Sequence, residues 1–179
     1  MRRSALARLV VAIASLCLAS HVHSRPPGSE VEVKAAVVFN VLQFVEWPAA
    51  KRPAGRPFVL CSLEGGRHAT ALAQYEGMRT HGTTLSFRLV RRQLEQLAEC
   101  HAVFVEAGDP YALLKISAAT HGLAILLIAE EDQAMQKGAG IGLSVAAGRV
   151  VIDINLASLR KVDLAVSSKL LRLAREVIE

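Results

Sequence analysis

LAILLIA, residues 123–129, is seven apolar residues in a row. A run of that kind fits a central parallel strand, buried on both faces. Working outward, other segments alternate between strand-like and helix-like. Towards the N-terminus, Phe58–Leu63 is a short apolar run and Ala102–Val105 reads as a buried strand. Thr84–Val90 alternates Leu85, Phe87 and Leu89 with Ser86 and Arg88, the pattern of a half-buried strand. Towards the C-terminus, Ile141–Val145 and Val150–Ile154 flank Ala147-Gly148 and predict a hairpin. Helical stretches are predicted at Val31–Glu46, Arg67–Tyr75, Arg91–Glu99, Asp109–Ala119, Glu130–Gln136 and Asn155–Lys161. A last helix is expected from Ser167 or Ser168 through Ile178, with Leu170, Leu171, Ala174, Val177 and Ile178 on its inner face. Strands alternating with helices imply one α/β domain. Its central sheet is expected to be mostly parallel, of about six strands, flanked by helices and closed by a C-terminal hairpin and helix.

The chain has 179 residues, 52% hydrophobic and 21% charged, which suits one folded domain and argues against disorder. Lys and Arg outnumber Asp and Glu by 21 to 16, a net charge of +5. That excess does not point to nucleic acid. Arg2, Arg3 and Arg8 precede an apolar stretch from Leu9 to Ala19, the layout of an export signal. Residues 1–24 are therefore expected to be removed, with residues 25–179 forming the mature domain. A membrane anchor is the rival reading, but this stretch would span only about 16 Å as a helix, short of a bilayer core. Losing residues 1–24 removes three arginines and no acid, leaving +2. The longest basic cluster left is Lys51, Arg52 and Arg56, broken by Pro53, which reads as a solvated loop rather than a nucleic-acid groove.

Of the three cysteines, Cys17 leaves with the signal. Cys61 and Cys100 remain, and a pair in an exported chain suggests one disulfide. A metal site is the alternative, but structural zinc needs four ligands, and His68, His81, His101 and His121 show no ligand-like spacing. Neither a metal nor another cofactor is expected.

Few residues invite a catalytic reading. Gly138, Gly140 and Gly142 form G-x-G-x-G, but they run into a strand and not into a helix, so close backbone packing is the better account. Cys100 and His101 are adjacent, and neighbours in a strand point to opposite faces. Gly65, Gly66 and Arg67 follow the strand Phe58–Leu63 and precede a helix. Crevices there commonly take anions in open α/β sheets, so this turn is a candidate site for an anionic small molecule. Phe39, Phe44 and Trp47 place three of eight aromatics within nine residues. Core packing explains them; a surface groove with Trp47 as a binding anchor is the functional alternative.

VKAAVVFNVLQFVEWP (33–48), the strand carrying Cys61, CHAVFV (100–105) and GRVVIDINLASLRKVDLAVSSKLLRLA (148–174) together resemble the YfiR family of periplasmic proteins. The resemblance implies a regulator, not an enzyme. Such proteins restrain an inner-membrane diguanylate cyclase by binding its periplasmic part. An outer-membrane, peptidoglycan-associated lipoprotein can sequester them, after which cyclic di-GMP rises and favours biofilm and exopolysaccharide. It also implies a homodimer, a periplasmic location and a disulfide at Cys61 and Cys100. A second family disulfide has no counterpart, since Gly142 occupies one of its places. The implied partner surface is the segment Asp153–Val166, with Asp153, Leu159 and Lys161 as its candidate contacts. A periplasmic sensor or carrier of an anionic metabolite, using Gly65–Arg67, is the alternative function.

Overall fold

The computed structural model describes residues 28–51, 55–91, 94–108, 112–131 and 133–179. The expected export signal lies outside these residues, as do Asp109 and Pro110. The first helix, α1 (Glu30–Leu42), starts at a reciprocal cap. The Ser29 hydroxyl accepts the Glu32 amide, and the Glu32 carboxylate accepts the Ser29 amide. The helix stops four residues short of the expected Glu46. His81 donates its ring Nε2–H to the Leu42 carbonyl at 2.7 Å, and the Ser167 amide takes the Phe44 carbonyl at 2.9 Å. Those two bonds draw the chain out of the helix into β1 (Val45–Glu46).

A 3-10 turn (Ala49–Lys51) follows, then β2 (Phe58–Leu63), α2 (Ala69–Ala73), β3 (Arg79–Thr80) and β4 (Thr83–Val90). Next come a 3-10 helix (Leu94–Glu99), β5 (Ala102–Val105), α3 (Ala112–Ala119), β6 (Leu126–Ala129) and β7 (Ile141–Ala146). The chain closes with β8 (Arg149–Asn155), α4 (Leu156–Arg160), β9 (Ala165–Val166), α5 (Ser168–Leu171) and β10 (Glu176–Ile178).

Eight strands form one sheet in the order β10-β8-β7-β6-β5-β2-β4-β3. The block from β4 to β7 is parallel throughout. The outer pairs β7/β8 and β3/β4 are antiparallel, and β10 runs parallel to β8. The expected six strands are all present. The sheet is wider and more mixed than expected because two short edge strands, β3 and β10, extend it. β1 and β9 pair separately.

Why the core strands are almost wholly apolar is visible in their two faces. Phe58 and Leu60, Ala102 and Phe104, and Leu126 and Ile128 point into the core beneath α1, with Val38, Phe39 and Leu42. The intervening Val59, Cys61, Val103, Val105 and Leu127 point the other way, against Leu97, Leu113 and Ile116. Successive strand side chains face opposite sides, so a strand covered on both sides leaves little place for polar residues, and in these three strands Ser62 is the exception.

Several expected helices are shorter. Arg67–Tyr75 is helical only over α2, and the expected Arg91–Glu99 is represented by the 3-10 helix Leu94–Glu99. In the expected helix Glu130–Gln136, residues 133–136 form turns, with Gln133 at φ 60°. Leu123–Ile125 leads into β6 as a turn, since the Leu123 amide bonds Thr120 and the Ile125 amide bonds Leu123. The largest correction is at the C-terminus. Ser167 does cap a helix, but α5 is one turn long. The Arg175 amide then bonds the Ile152 carbonyl at 2.8 Å, and residues 176–178 pair with 153–155 of β8. Val177 and Ile178 are β-branched and fit that strand. The hairpin turn is as read, with Ala147 at φ 49° and Gly148 at φ 71°.

Cys61 and Cys100 are disulfide-bonded, with Cα atoms 6.0 Å apart and 39 positions between them in sequence. His101, beside Cys100, turns its ring to the other side. Its Nδ1 accepts the Val59 amide at 3.0 Å, and the ring stacks on Phe58 at 4.8 Å. Burial, with the nearby His81 adding to it, holds the His101 imidazole below its ordinary pKa of 6.5.

Two outcomes are expected. The non-reduced chain will weigh two hydrogens less than the reduced one. Reduction will remove about 4 kcal/mol of loop-closure stabilisation, a fall of about 10 °C in Tm by scanning calorimetry. Separately, an Nδ1 that accepts a bond cannot be protonated without losing it. Because the folded pKa lies below the unfolded 6.5, His101 stabilises fully above 6.5, and that stability is lost as pH falls through the folded value. His101→Gln should flatten the loss of Tm on acidification below 6.5; an unchanged slope refutes the assignment.

Candidate functional site

The chain passes from β2 to β4 on one side, then returns to β5 on the other side of β2. The order of the sheet therefore reverses at the C-terminal ends of β2 and β5, the place where open α/β sheets usually bind ligands. Glu64, Gly65, Gly66 and Arg67 follow β2, Glu106 follows β5 and Glu130 follows β6. Gly65 adopts φ +87° to make the turn. The Arg67 amide donates to Glu106 Oε2 and the His68 amide to Glu106 Oε1, each at 2.8 Å. A Cβ on Gly66 would collide with that carboxylate. The turn read as an anion site thus holds an anion, and the anion is the side chain of Glu106.

Beneath it, His68 is fully buried. Its Nδ1 lies 3.3 Å from Glu106 Oε1 and its Nε2 lies 3.6 Å from Glu130 Oε2. Glu130 is itself buried and accepts through Oε1 from Lys34 Nζ and from Arg67 Nη2, the latter at 2.6 Å. Lys34, only 3% exposed, also donates to Glu30 at 2.6 Å, one helical turn earlier. Burial acts to lower the Lys34 pKa, and the bonds and charges of Glu130 and Glu30 outweigh it, leaving the ammonium above its ordinary range. The bond from Lys34 holds the Glu30 carboxyl below its usual value. Three carboxylates, two fixed cations and one imidazole thus tie the first turns of α1 to the ends of β2, β5 and β6. The adjoining cleft, about 690 Å³, is lined by Lys34, Glu130, Glu131, Lys137, Ser144 and Val145 among others. Lys137 pairs with Glu131 across it. Among the described residues no group of three His, Cys, Asp or Glu is placed to hold a metal ion.

Lys34, His68, Glu106 and Glu130 escaped the sequence reading. A signal existed for three of them. Lys34 sits four residues after Glu30 amid the apolar residues of α1. Glu106 and Glu130 are each the first charged residue after a fully buried strand, the position from which a side chain reaches the sheet's end. Nothing in the sequence marked His68.

The expected partner contacts are dispersed. Trp47 is buried, donates its indole N–H to the Ala124 carbonyl at 3.1 Å and meets Phe58 and His81 edge-on at 4.9 and 5.0 Å. Leu159 is 1% exposed and packs over Gly140, where a Cβ would collide with it. That contact accounts for the middle glycine of the G-x-G-x-G run. Asp153, mostly buried, accepts two bonds from the half-exposed Arg175 guanidinium, one at 2.9 Å. The Asp153 carboxylate keeps Arg175 still more firmly protonated. Lys161 is on the surface, beside a small pocket of about 210 Å³ that also includes His121 and Ser158. Of the four, it alone is exposed.

Removing one member of a buried ion cluster leaves its partner uncompensated. Lys34→Met should therefore cost about 3–5 kcal/mol in denaturant unfolding, and Lys34→Met with Glu130→Gln should cost less than Lys34→Met alone. Equal losses would show that Glu130 is not the group Lys34 neutralises.

No curated protein matches the chain. A conserved domain protein from Vibrio cholerae O1 biovar El Tor str. N16961 is a solved structure of similar fold. It has TM-score 0.58 and 11% identity, over 83% of this chain and 60% of that one. The ABC domain from Streptococcus pneumoniae in complex with L-Trp reaches TM-score 0.49 at 10% identity, over 83% and 60% of the two chains. The chain thus spans less than two thirds of both structures, and at such identity the first likeness concerns fold alone. The profile of the YfiR/HmsC-like family runs from residue 31 to residue 175, covering every strand but β10, and the chain belongs to that family.

Proposed function

We propose that the protein is a periplasmic regulator. It binds the periplasmic part of an inner-membrane diguanylate cyclase and represses it, lowering cyclic di-GMP and with it biofilm and exopolysaccharide output. Membership of the YfiR/HmsC-like family is the observation that carries this reading. Three features agree with it. No helix among the described residues is long and apolar enough to cross a membrane. The Cys61–Cys100 disulfide suits an oxidising compartment. The charged groups at the sheet's C-terminal edge are engaged with one another, an arrangement that supports folding and offers no activated nucleophile.

On this reading residues 1–24 direct export and residues 25–179 are the working domain. The protein acts by association, not by catalysis, and needs no cofactor. Its cyclase contact is placed on the segment from Asp153 to Val166, where Lys161 is the exposed side chain and Asp153 fixes the neighbouring Arg175. Trp47 and Leu159 support that surface from within. Homodimerisation and capture by an outer-membrane, peptidoglycan-associated lipoprotein belong to the same proposal. The rival, an anionic metabolite at Gly65–Arg67, would have to displace Glu106 from the two amides it occupies.

A deletion strain should show raised cyclic di-GMP, and tagged protein recovered from the periplasm should bring down a membrane cyclase. Lys161→Glu should weaken that capture with circular dichroism unchanged. Unaltered cyclic di-GMP together with no cyclase in the eluate would overturn the proposal.

A further inference from the structure

The eight-stranded sheet ends in two short edges of different character. At one, β3 is two residues long and carries the exposed Arg79. At the other, β10 is Glu176–Ile178, preceded by Arg175 and followed by Glu179. Exposed strand edges are usually blunted by short length, by charged side chains, Lys above all, or by Pro. Residues 173–179 carry Arg175, Glu176 and Glu179 but no Lys or Pro. Beside these charges Leu173 is 66% exposed and Val177 37% exposed. The family profile stops at residue 175, so this strand lies beyond it.

The direction of the unpaired main-chain groups follows from the ladder. The Asn155 amide bonds Gly140 on the β7 side. Main-chain groups alternate along a strand, so those of Ile154 face β10. Val177 is the register partner of Ile154. In a parallel pair a residue bonds the two neighbours of its partner, here Glu176 and Ile178. The N–H and C=O of Val177 therefore point away from the sheet.

We propose that β10 is a self-complementary docking edge, and that its occupant is β10 of a second copy of this chain. The two strands run antiparallel about a two-fold axis at Val177. That register sets Val177 against Val177, exchanging both main-chain bonds, and sets Arg175 against Glu179 of the other copy at either end. An isologous contact needs each residue to meet its complement under the same operation. Opposite charges at equal distances on either side of an apolar centre meet that requirement. The Arg175 side chain, half exposed and held by Asp153, is already oriented at this edge. The two sheets then become one continuous sheet. This inference rests on the proposed homodimer and names its surface.

Sedimentation velocity on the disulfide-intact chain, over a range of concentrations, tests it. Wild type should dimerise, and Val177→Pro, which removes only an outward N–H, should weaken the dimer by roughly tenfold or more with circular dichroism unchanged. Under mild oxidation Val177→Cys should form a covalent dimer, whereas Leu114→Cys, exposed elsewhere, should not. Monomeric wild type at every concentration overturns both the edge and the homodimer. A wild-type dimer that survives Val177→Pro, with no covalent dimer from Val177→Cys, overturns the edge and leaves the homodimer standing.

Discussion

Glu130 sits where a strand buried on both faces ends, and its carboxylate must be neutralised there by partners of the chain's own. β6 is apolar on both faces, so the chain cannot place a charge until the strand is finished. The first residue after it is Glu130, still only 7% exposed. A carboxylate so placed costs several kcal/mol unless it is paired. Lys34 reaches it from α1 and Arg67 from the turn after β2. These bonds fix the position of α1 on one face of the sheet and of the β2–α2 turn at its edge. Glu106 completes the arrangement by binding the two amides that the turn exposes. The glycine at position 66 follows from that approach, because any Cβ would stand where the Glu106 oxygen lies.

How much of this the sequence discloses depends on the range of the interaction responsible. LAILLIA reads as a doubly buried strand because burial on both faces leaves a mark at every position. β2 and β5 are legible for the same reason, and β4 by its alternation of apolar and polar residues. The hairpin turn is legible because Gly148 marks it between two strand patterns, while the positive φ of Ala147 beside it is not. β10 is not. Leu170, Leu171, Ala174, Val177 and Ile178 satisfy a helical spacing, and three residues are too few for an alternation to compete with it. Pairing with Asp153–Asn155, some twenty positions upstream, decides the matter. α1 shows the same limit: its last turn is lost to His81 and Ser167, both remote in sequence.

The site divides along similar lines. Gly65-Gly66-Arg67 carried a correct physical signal, two amides facing an anion at the reversal of strand order. The sequence could not say which carboxylate would fill it, because Glu106 lies 39 positions away. Trp47 illustrates the converse. An aromatic at a helix end next to a proline fits core packing first and an exposed anchor as the alternative, and the sequence does not say what it packs on. Here the helix ends early, the chain folds back as β1, and the indole turns inward to meet Ala124, Phe58 and His81. The disulfide needed only compartment and cysteine count, which is why it could be expected before any geometry was known.

An edge closed upon itself has a consequence for where recognition can occur. In many α/β proteins the reversal of strand order is an open crevice, and binding there changes the protein's shape. In this chain the crevice is spanned by its own charges, and each ion pair that forms raises the cost of opening it. Recognition by such a domain is more economically sited on surfaces that need no internal bond to break. The two surfaces proposed above, the segment around Lys161 and the outer edge of β10, are of that kind. They are adjacent through Asp153, which sits in β8 beside β10 and holds Arg175. A partner that pulled Arg175 away from Asp153 would leave a mostly buried carboxylate unpaired at the root of both surfaces.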